Sequence, residues 1–310
     1  MGFLHLKKQP TIDFIGQRWV TFGLSGAMVV LVFLGLLVLG LPRGVDFKGG
    51  TLLEIRTTQA PDLGQLRKRL ADATKGDVLV QTLGKSNDLL IRLEHGVLQP
   101  KQEAVQAFLK DVLPNDAAEL RRVESVGPKV SSELLSKGLW AIFFALIAML
   151  LYIWVRFEWR FGLAALFALL HDCVGVLGVY VLGRVEFNEA AIVALLITAS
   201  YSINDTVVVF DRVRENRGRY GRMPLAQLLN LSINETLSRT LLTSLTTLVA
   251  LLALYFFGGP VIATFSLPIL IGLLVGTYSS ICLASPLLTL LPTDDLSGGA
   301  LANQNTQNDS

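Results

Sequence analysis

The sequence predicts a polytopic α-helical membrane protein with six transmembrane helices and one small α+β domain between the first helix and the second. Three observations carry that prediction. Of the 310 residues, 52% are hydrophobic and 17% charged, and mean hydropathy is +0.52, so the chain cannot fold as a single soluble globule. The apolar residues gather into six runs, each near the roughly 20 residues that a bilayer core demands. Between the first two runs lies a long segment whose apolar spacing switches between the strand period and the helix period.

The first run, Val20 to Leu41, follows Lys7, Lys8 and Arg18. It is too long for a secretory leader and lacks a small-x-small cleavage site, so it reads as an uncleaved span, 20–41, after a cytoplasmic N-terminus, 1–19. The domain then occupies 42–137. Asp46, Gly49 and Gly50 read as a turn entering the first strand, where glycine supplies backbone freedom. Thr51 to Arg56 alternates as a half-buried strand. Asp62 to Ala73, after Pro61, carries Leu63, Leu66 and Leu70 at helical spacing. Val78 to Leu83 and Leu89 to Leu93 are strands flanking a Gly-Lys-Ser-Asn-Asp turn. Glu103 to Leu113 is a second helix, with Val105, Phe108, Leu109 and Val112 inward and Pro114 ending it, and Glu119 to Ser125 is a fourth strand. This βαββαβ order is that of a ferredoxin-like fold. Its histidine, His95 beside Gly96, reads as a solvated loop residue. With no catalytic constellation, the domain suggests a mechanical or recognitional role.

The remaining spans, 138–291, are Gly138 to Val155, Phe161 to Leu182, Ala190 to Phe210, Leu237 to Phe257 and Phe265 to Leu291. Loops on one side carry Arg156, Arg160, Arg212, Arg214, Arg217, Arg219 and Arg222, against little beyond Arg184 on the other. That asymmetry predicts both termini in the cytoplasm and the domain outside. The tail, 292–310, is polar and reads as disordered. A net charge of +2, with basic residues in short loops, argues against a nucleic-acid partner. Cys173 and Cys282 fall inside apolar runs and behave there as small hydrophobes.

The first two spans are nearly featureless, whereas later ones carry polar groups. Asp205 lies six residues, about 9 Å, inside the polar boundary that Asp211 marks. An ionised Asp at a helix centre costs about 2.5 to 3.5 kcal/mol, so something must offset it. Ser202 and Tyr201 share its face, with Thr198 a turn further. Arg239, with Thr243 and Thr246 on its face, opens the fifth span, which returns antiparallel to the fourth. A nearby cation favours the carboxylate and an apolar surround favours the acid, so movement of Arg239 relative to Asp205 would release or admit a proton. The competing reading of Arg239, given less weight, is an anchor whose head reaches the headgroups. Asp172, beside His171 at mid-span, is either a second relay station or a buried pair that sets helix register. The sixth span has Gly272, Gly276, Ser280 and Ala284 at every fourth position, which predicts close central packing, and Pro268 and Pro286 predict kinks.

Several stretches together resemble the SecF subunits of the bacterial Sec protein-export machinery, in the SecD/SecF family of the resistance-nodulation-division (RND) superfamily. They are Gly44-Val-Asp-Phe-Lys-Gly-Gly50-Thr, Ser125-Val-Gly-Pro128, Leu170-His-Asp172, the run from Tyr201 to Glu215, Ser238-Arg-Thr-Leu-Leu-Thr243-Ser, Phe257-Gly-Gly-Pro260 and Gly276-Thr-Tyr-Ser-Ser280. Asp46, Gly49, Gly50, Tyr201, Asn204, Gly259 and Pro260 fall in these motifs. Ser200 departs from the family's Gly, and the tail is acidic where many members end basic. The resemblance implies an RND-type half bundle that pairs with SecD in the bacterial inner membrane. It also implies use of the proton-motive force to complete export of preproteins through the SecYEG channel with the SecA ATPase, with YajC a further associate. By the resemblance Asp205 would be the proton carrier, Arg239 its modulating cation and Thr243 a polar neighbour; Asp172 joins that pathway only on the relay reading of its own residues given above. Neither cofactor nor metal is implied. The alternative is a self-sufficient RND-type proton-coupled transporter of small molecules or lipids. An intramembrane hydrolase is disfavoured: no GxSxG or HExxH motif is present, and Ser202 has no histidine at a credible sequence position.

Overall fold

A computed structural model describes residues 12–75, 78–83, 85–93, 102–113 and 118–291. Lys7, Lys8, Gly84, His95, Gly96, Pro114 and the tail lie outside the described residues. Helix α1 (Arg18–Leu39) is followed by a single helical turn, α2 (Val45–Lys48), and then by Gly49 at φ 77° and Gly50 at φ 144°. Only glycine adopts such angles without strain, so the glycine pair is what turns the chain from α2 into the first strand.

The domain runs β1 (Gly50–Arg56), α3 (Leu63–Thr74), β2 (Val78–Leu83), β3 (Lys85–Leu93), α4 (Gln102–Val112) and β4 (Glu119–Val126), with strand order β2-β3-β1-β4 and every neighbour antiparallel. Alternate strand residues Leu53, Ile55, Leu89, Ile91 and Leu93 meet Leu66 and Leu70 of α3 and Val105 and Leu109 of α4 in one core. Asp62 is the cap of α3: its carboxylate accepts from the Gly64 amide at 2.8 Å and the Gln65 amide at 3.3 Å. The Lys85 to Asp88 part of the expected turn is strand instead. Cross-strand pairing of Asp88 with Arg56, Nη2 to Oδ2 2.8 Å, draws it into the ladder.

The five later helices are α5 (Pro128–Arg156), α6 (Trp159–Leu182), α7 (Glu189–Arg219), α8 (Leu225–Phe257) and α9 (Gly259–Ser279). Helix α5 begins ten residues before its apolar run, because Pro128 occupies a first-turn position where its missing amide is no loss. Helix α8 likewise joins the expected Leu225–Leu231 helix to the fifth span without a break. Pro268 lies within α9. The regular helix gives way to a π turn, Ser280–Ala284, ahead of Pro286.

Among the described residues, six helical stretches are long and apolar enough to cross a membrane, and they divide into two classes. Half or more of the apolar window is buried in α6 (56%) and in the α9 stretch to Leu290 (61%), and nearly as much in α7 (44%); α1, α5 and α8 bury 11%, 6% and 11%. The central three meet through small residues. A Cβ on Gly272 would lie 2.2 Å from Thr198 Oγ1, and one on Gly276 would lie 3.1 Å from Ser202 Cβ, so the row on α9 is what allows α7 so close.

One end of the bundle carries the sheet. Gly44 N donates to Phe187 O at 2.8 Å and Phe187 N to Pro42 O at 2.7 Å, which ties the start of the domain to the α6–α7 connection. Arg92 of β3 reaches Glu186 at 3.0 Å and Arg43 O at 2.6 Å. The opposite, arginine-rich end is laced by Arg156–Asp211, Arg217–Glu158 and Arg212–Glu235 pairs at 2.7, 2.8 and 2.6 Å. There the segment ahead of α1 is strapped to α8: Ile15 N donates to Asn230 Oδ1 at 3.0 Å and Ile12 N to Asn234 Oδ1 at 3.1 Å.

Candidate functional site

The polar side chains of the central helices form two clusters on either side of the α7–α9 seam. The first surrounds Asp172, which is 0% exposed. Its Oδ1 lies 3.0 Å from His171 Nδ1; its Oδ2 accepts from Ser279 Oγ of α9 at 2.7 Å and from Ser202 Oγ of α7. Three hydrogen bonds from three helices satisfy the carboxylate, which offsets the cost of burying it. His171 is 7% exposed, and its Nε2 has no partner among the described residues. The ring sits on the floor of an apolar groove between α1, α5 and α6 that Phe22, Phe33, Leu139 and Phe167 line.

The second cluster surrounds Asp205, 6% exposed. It is held far more loosely. Among the described residues its one hydrogen bond comes from Ser244 Oγ of α8 at 3.4 Å, and Ser244 in turn pairs with Thr277 Oγ1 of α9 at 2.8 Å. Between the clusters, Ser280 Oγ bonds Ser202 O at 3.1 Å and lies 2.9 Å from Thr206 Oγ1, in the first residue of the π turn. Such single-turn irregularities inside helices recur at functional sites.

Arg239 is exposed on α8 and forms no ion pair with Asp205, although its charge acts on that carboxylate through space. Thr243 is exposed too, and its hydroxyl bonds its own helix at Arg239 O (3.1 Å) and Thr240 O (2.9 Å). The residue of that run that touches Asp205 is Ser244. Tyr201, expected on the Asp205 face, is 41% exposed and points outward with Asn204, whereas Ser202 and Thr198 turn inward as the helical spacing requires. Asp46 leaves the turn to accept from the Glu189 amide at 3.5 Å, at the start of α7, and Gly259, at φ 80°, turns α8 into α9 with Pro260 in the first helical turn.

Ser279, Thr277 and Tyr278 are site residues that spacing alone does not single out. Their signal is a polar run, Thr277 to Ser280, inside an otherwise apolar span. A histidine does stand near Ser202, but through Asp172, which separates the two. The order Ser-Asp-His sets a carboxylate and not an imidazole against the hydroxyl, unlike the Ser-His-Asp order of a nucleophilic triad. Among the described residues no group of three His, Cys, Asp or Glu side chains could hold a metal ion. What the arrangement can do is exchange protons: two carboxylates, an imidazole and rotatable hydroxyls that act as donor or acceptor.

Comparison with known proteins agrees with this architecture. The family profile "Protein export membrane protein SecD/SecF, C-terminal" matches residues 104–294, and "SecD/SecF GG Motif" matches residues 35–61. The chain is 41% identical over 288 residues to the protein translocase subunit SecF of Rickettsia felis, covering 92% of this chain and 93% of that one. It is also 41% identical over 295 residues to that of Calditerrivibrio nitroreducens, covering 93% and 97%. The crystal structure of SecDF, a translocon-associated membrane protein from Thermus thermophilus, superposes with a TM-score of 0.82 at 33% identity, covering 94% of this chain. A SecDF structure in a super-membrane-facing form gives a TM-score of 0.68 at 33% identity, covering 97% of this chain. This chain spans 39% and 40% of the length of those two SecDF chains. On the profile match, the identity and the shared six-helix architecture, the chain belongs to the SecD/SecF family of protein export membrane proteins.

Proposed function

We propose that this chain is the SecF-type half of a proton-driven export complex. It pairs with a SecD-type half in the bacterial inner membrane, keeps both termini in the cytoplasm and holds its ferredoxin-like domain outside. In this reading Asp205 takes up and releases the proton, Arg239 sets which of its forms is favoured, and Thr243 and Asp172 belong to the same pathway. The complex acts on preproteins emerging from SecYEG after delivery by SecA, with YajC as an associate and membrane lipid around it.

The observation that carries the reading is Asp205 itself. It is a buried carboxylate held by one long hydrogen bond, near a cation on a face that the chain leaves uncovered. A charge so weakly compensated in a membrane marks an ion path before it marks a structural bond. Tyr201 and Asn204 of α7 and Arg239 and Thr243 of α8 are exposed polar groups in membrane-crossing helices, which fits a second protein half against them better than lipid. The sheet order β2-β3-β1-β4 supports the ferredoxin-like reading, and the arginines at the opposite end support the orientation.

The energy scale is adequate. One proton crossing about 100 mV releases roughly 2.3 kcal/mol, enough to bias a domain movement, while unfolding a stable client would need several. In cells, Asp205→Asn should abolish proton-dependent export of a secreted reporter while the complex still assembles. Export at the wild-type rate would overturn the assignment.

A further inference from the structure

A carboxyl group that gains and loses a proton has to be held in two forms, and among the described residues Asp205 has one hydroxyl to do it. Ser244 Oγ of α8 donates to Asp205 Oδ2 at 3.4 Å and lies 2.8 Å from Thr277 Oγ1 of α9. Thr277 in turn donates to Leu273 O of its own helix at 2.8 Å. A hydroxyl carries one hydrogen and two lone pairs, whereas a backbone carbonyl only accepts. With the Thr277 hydrogen on Leu273 O, the bond between Ser244 and Thr277 takes its hydrogen from Ser244. That is the same hydrogen that reaches toward Asp205. One hydrogen therefore faces two acceptors, the nearer on α9 and the farther on α7.

We infer that Ser244 is the positioning residue of Asp205, donor to its carboxylate and acceptor from its acid, and that Thr277 is the group that lets Ser244 change roles. The inference rests on the proton-carrier reading of Asp205 above. When Asp205 is ionised the Ser244 hydrogen turns to it, because a bond to a charged acceptor is about twice as strong as one to a neutral hydroxyl. When Asp205 is protonated, its own O–H donates to Ser244 Oγ and the Ser244 hydrogen returns to Thr277. Donors then run one way, from Asp205 through Ser244 and Thr277 to Leu273 O. Hydroxyls rotate in this change and no O–H bond of Ser244 or Thr277 breaks. No proton passes along the row, since it ends on an amide carbonyl, too weak a base to take one up; the proton of Asp205 arrives and leaves by another side. Without Ser244 the buried carboxylate lacks a donor and the acid lacks an acceptor, so both forms are left unsatisfied. The charged and titratable groups around Asp205 lie on three helices. Arg239 on α8 acts on it through space, and Asp172 on α6 bonds Ser202, which precedes Asp205 by one turn. Tyr278 of α9 turns away, to Ser25 and Thr21 O on α1.

The test is pH-jump infrared difference spectroscopy on the full chain with its SecD-type partner in liposomes, with proton flux measured on the same samples. The protonated-carboxyl band that Asp205→Asn removes is the band of Asp205. Ser244→Ala should move that band to higher frequency, since the acid loses the oxygen it donates to, and should lower flux at least about tenfold. Thr277→Val keeps the shape and removes the hydroxyl, so the Ser244 hydrogen stays on Asp205 and the band should move to lower frequency. Ser244→Thr restores the hydroxyl and should return band and flux to their wild-type values. Ser266→Ala, which removes a buried α9 hydroxyl that bonds its own helix at Ile262 O (2.7 Å), should change neither. If Ser244→Ala does not assemble, the downward shift in Thr277→Val decides. The inference is overturned if the band stays in place or moves the same way in Ser244→Ala and Thr277→Val, or if Ser244→Thr is as impaired as Ser244→Ala. Flux lost in Asp205→Asn with the band unmoved by Ser244→Ala removes the positioning role alone. Normal flux in Asp205→Asn with the band moved as expected removes the proton-carrier role and keeps the positioning. If Asp205→Asn removes no band, both fall.

Discussion

The two carboxylates inside the helical bundle are buried to nearly the same degree and are held in opposite ways. Asp172 receives an imidazole and two hydroxyls, and Asp205 receives one hydroxyl at 3.4 Å. Burial alone therefore does not separate a tightly held carboxylate from a loosely held one; the number and length of the bonds do. Asp172 joins three central helices, so any change in it is felt as packing. Asp205 faces α8, a helix whose outer surface the chain leaves bare, so a change in it is felt by whatever lies beyond.

The largest expected effect breaks that comparison at its tight end. Asp172→Ala strands Ser202, Ser279 and His171 without their acceptor and should destabilise the bundle by about 3–5 kcal/mol, read as a lower thermal midpoint in detergent. Asp205→Ala should lower stability by no more than about 1 kcal/mol while stopping proton flux. Equal losses would mean that the two sites do not differ as their bonds suggest.

Next comes the seam between the clusters. Gly272→Ala places a Cβ 2.2 Å from Thr198 Oγ1, and Gly276→Val crowds Ser202; each should cost about 1–3 kcal/mol. Gly26→Ala on α1 meets nothing within 4 Å and should be neutral, so it serves as the control.

A smaller change sharpens the loose end. Arg239→Met should leave the thermal midpoint unchanged, because the side chain is exposed and forms no ion pair with Asp205, and should reduce proton flux. Arg239→Lys should be intermediate, since it keeps the charge without the guanidinium fork. Flux equal to wild type in Arg239→Met would make Arg239 an anchor only.

The smallest effect lies outside the membrane-crossing segments. The Gly16 amide, and after it the Asn230 side chain, hold the Asp13 carboxyl below its ordinary value of 3.8. A depressed carboxyl contributes stability above the unfolded value and loses it as pH falls through the folded one. The strap of residues 12–16 on α8 should therefore loosen only below about pH 3.8, seen as faster amide exchange at Gly16. Loosening already at pH 6 would contradict this.

Much of this architecture is legible in the sequence because its signals are local. Apolar run length announces each span, alternation announces the strands, and the four-residue spacing of Gly272, Gly276, Ser280 and Ala284 announces the central helix. Helix ends were harder to read, since α5 and α8 continue through polar residues whose helicity hydropathy does not register. Site pairing was harder still. Asp205 and Arg239 stand out as intramembrane charges, yet which hydroxyl meets which carboxylate depends on how α7, α8 and α9 rotate against one another. That rotation is why Ser244 and not Thr243 reaches Asp205, and why Tyr201 turns outward.

The most direct measurement is proton flux through liposomes containing this chain with its SecD-type partner, wild type against Asp205→Asn. The account predicts flux in the wild type and its loss in the variant, with the assembled complex intact. Equal flux from both would contradict it and leave Asp205 a packing residue.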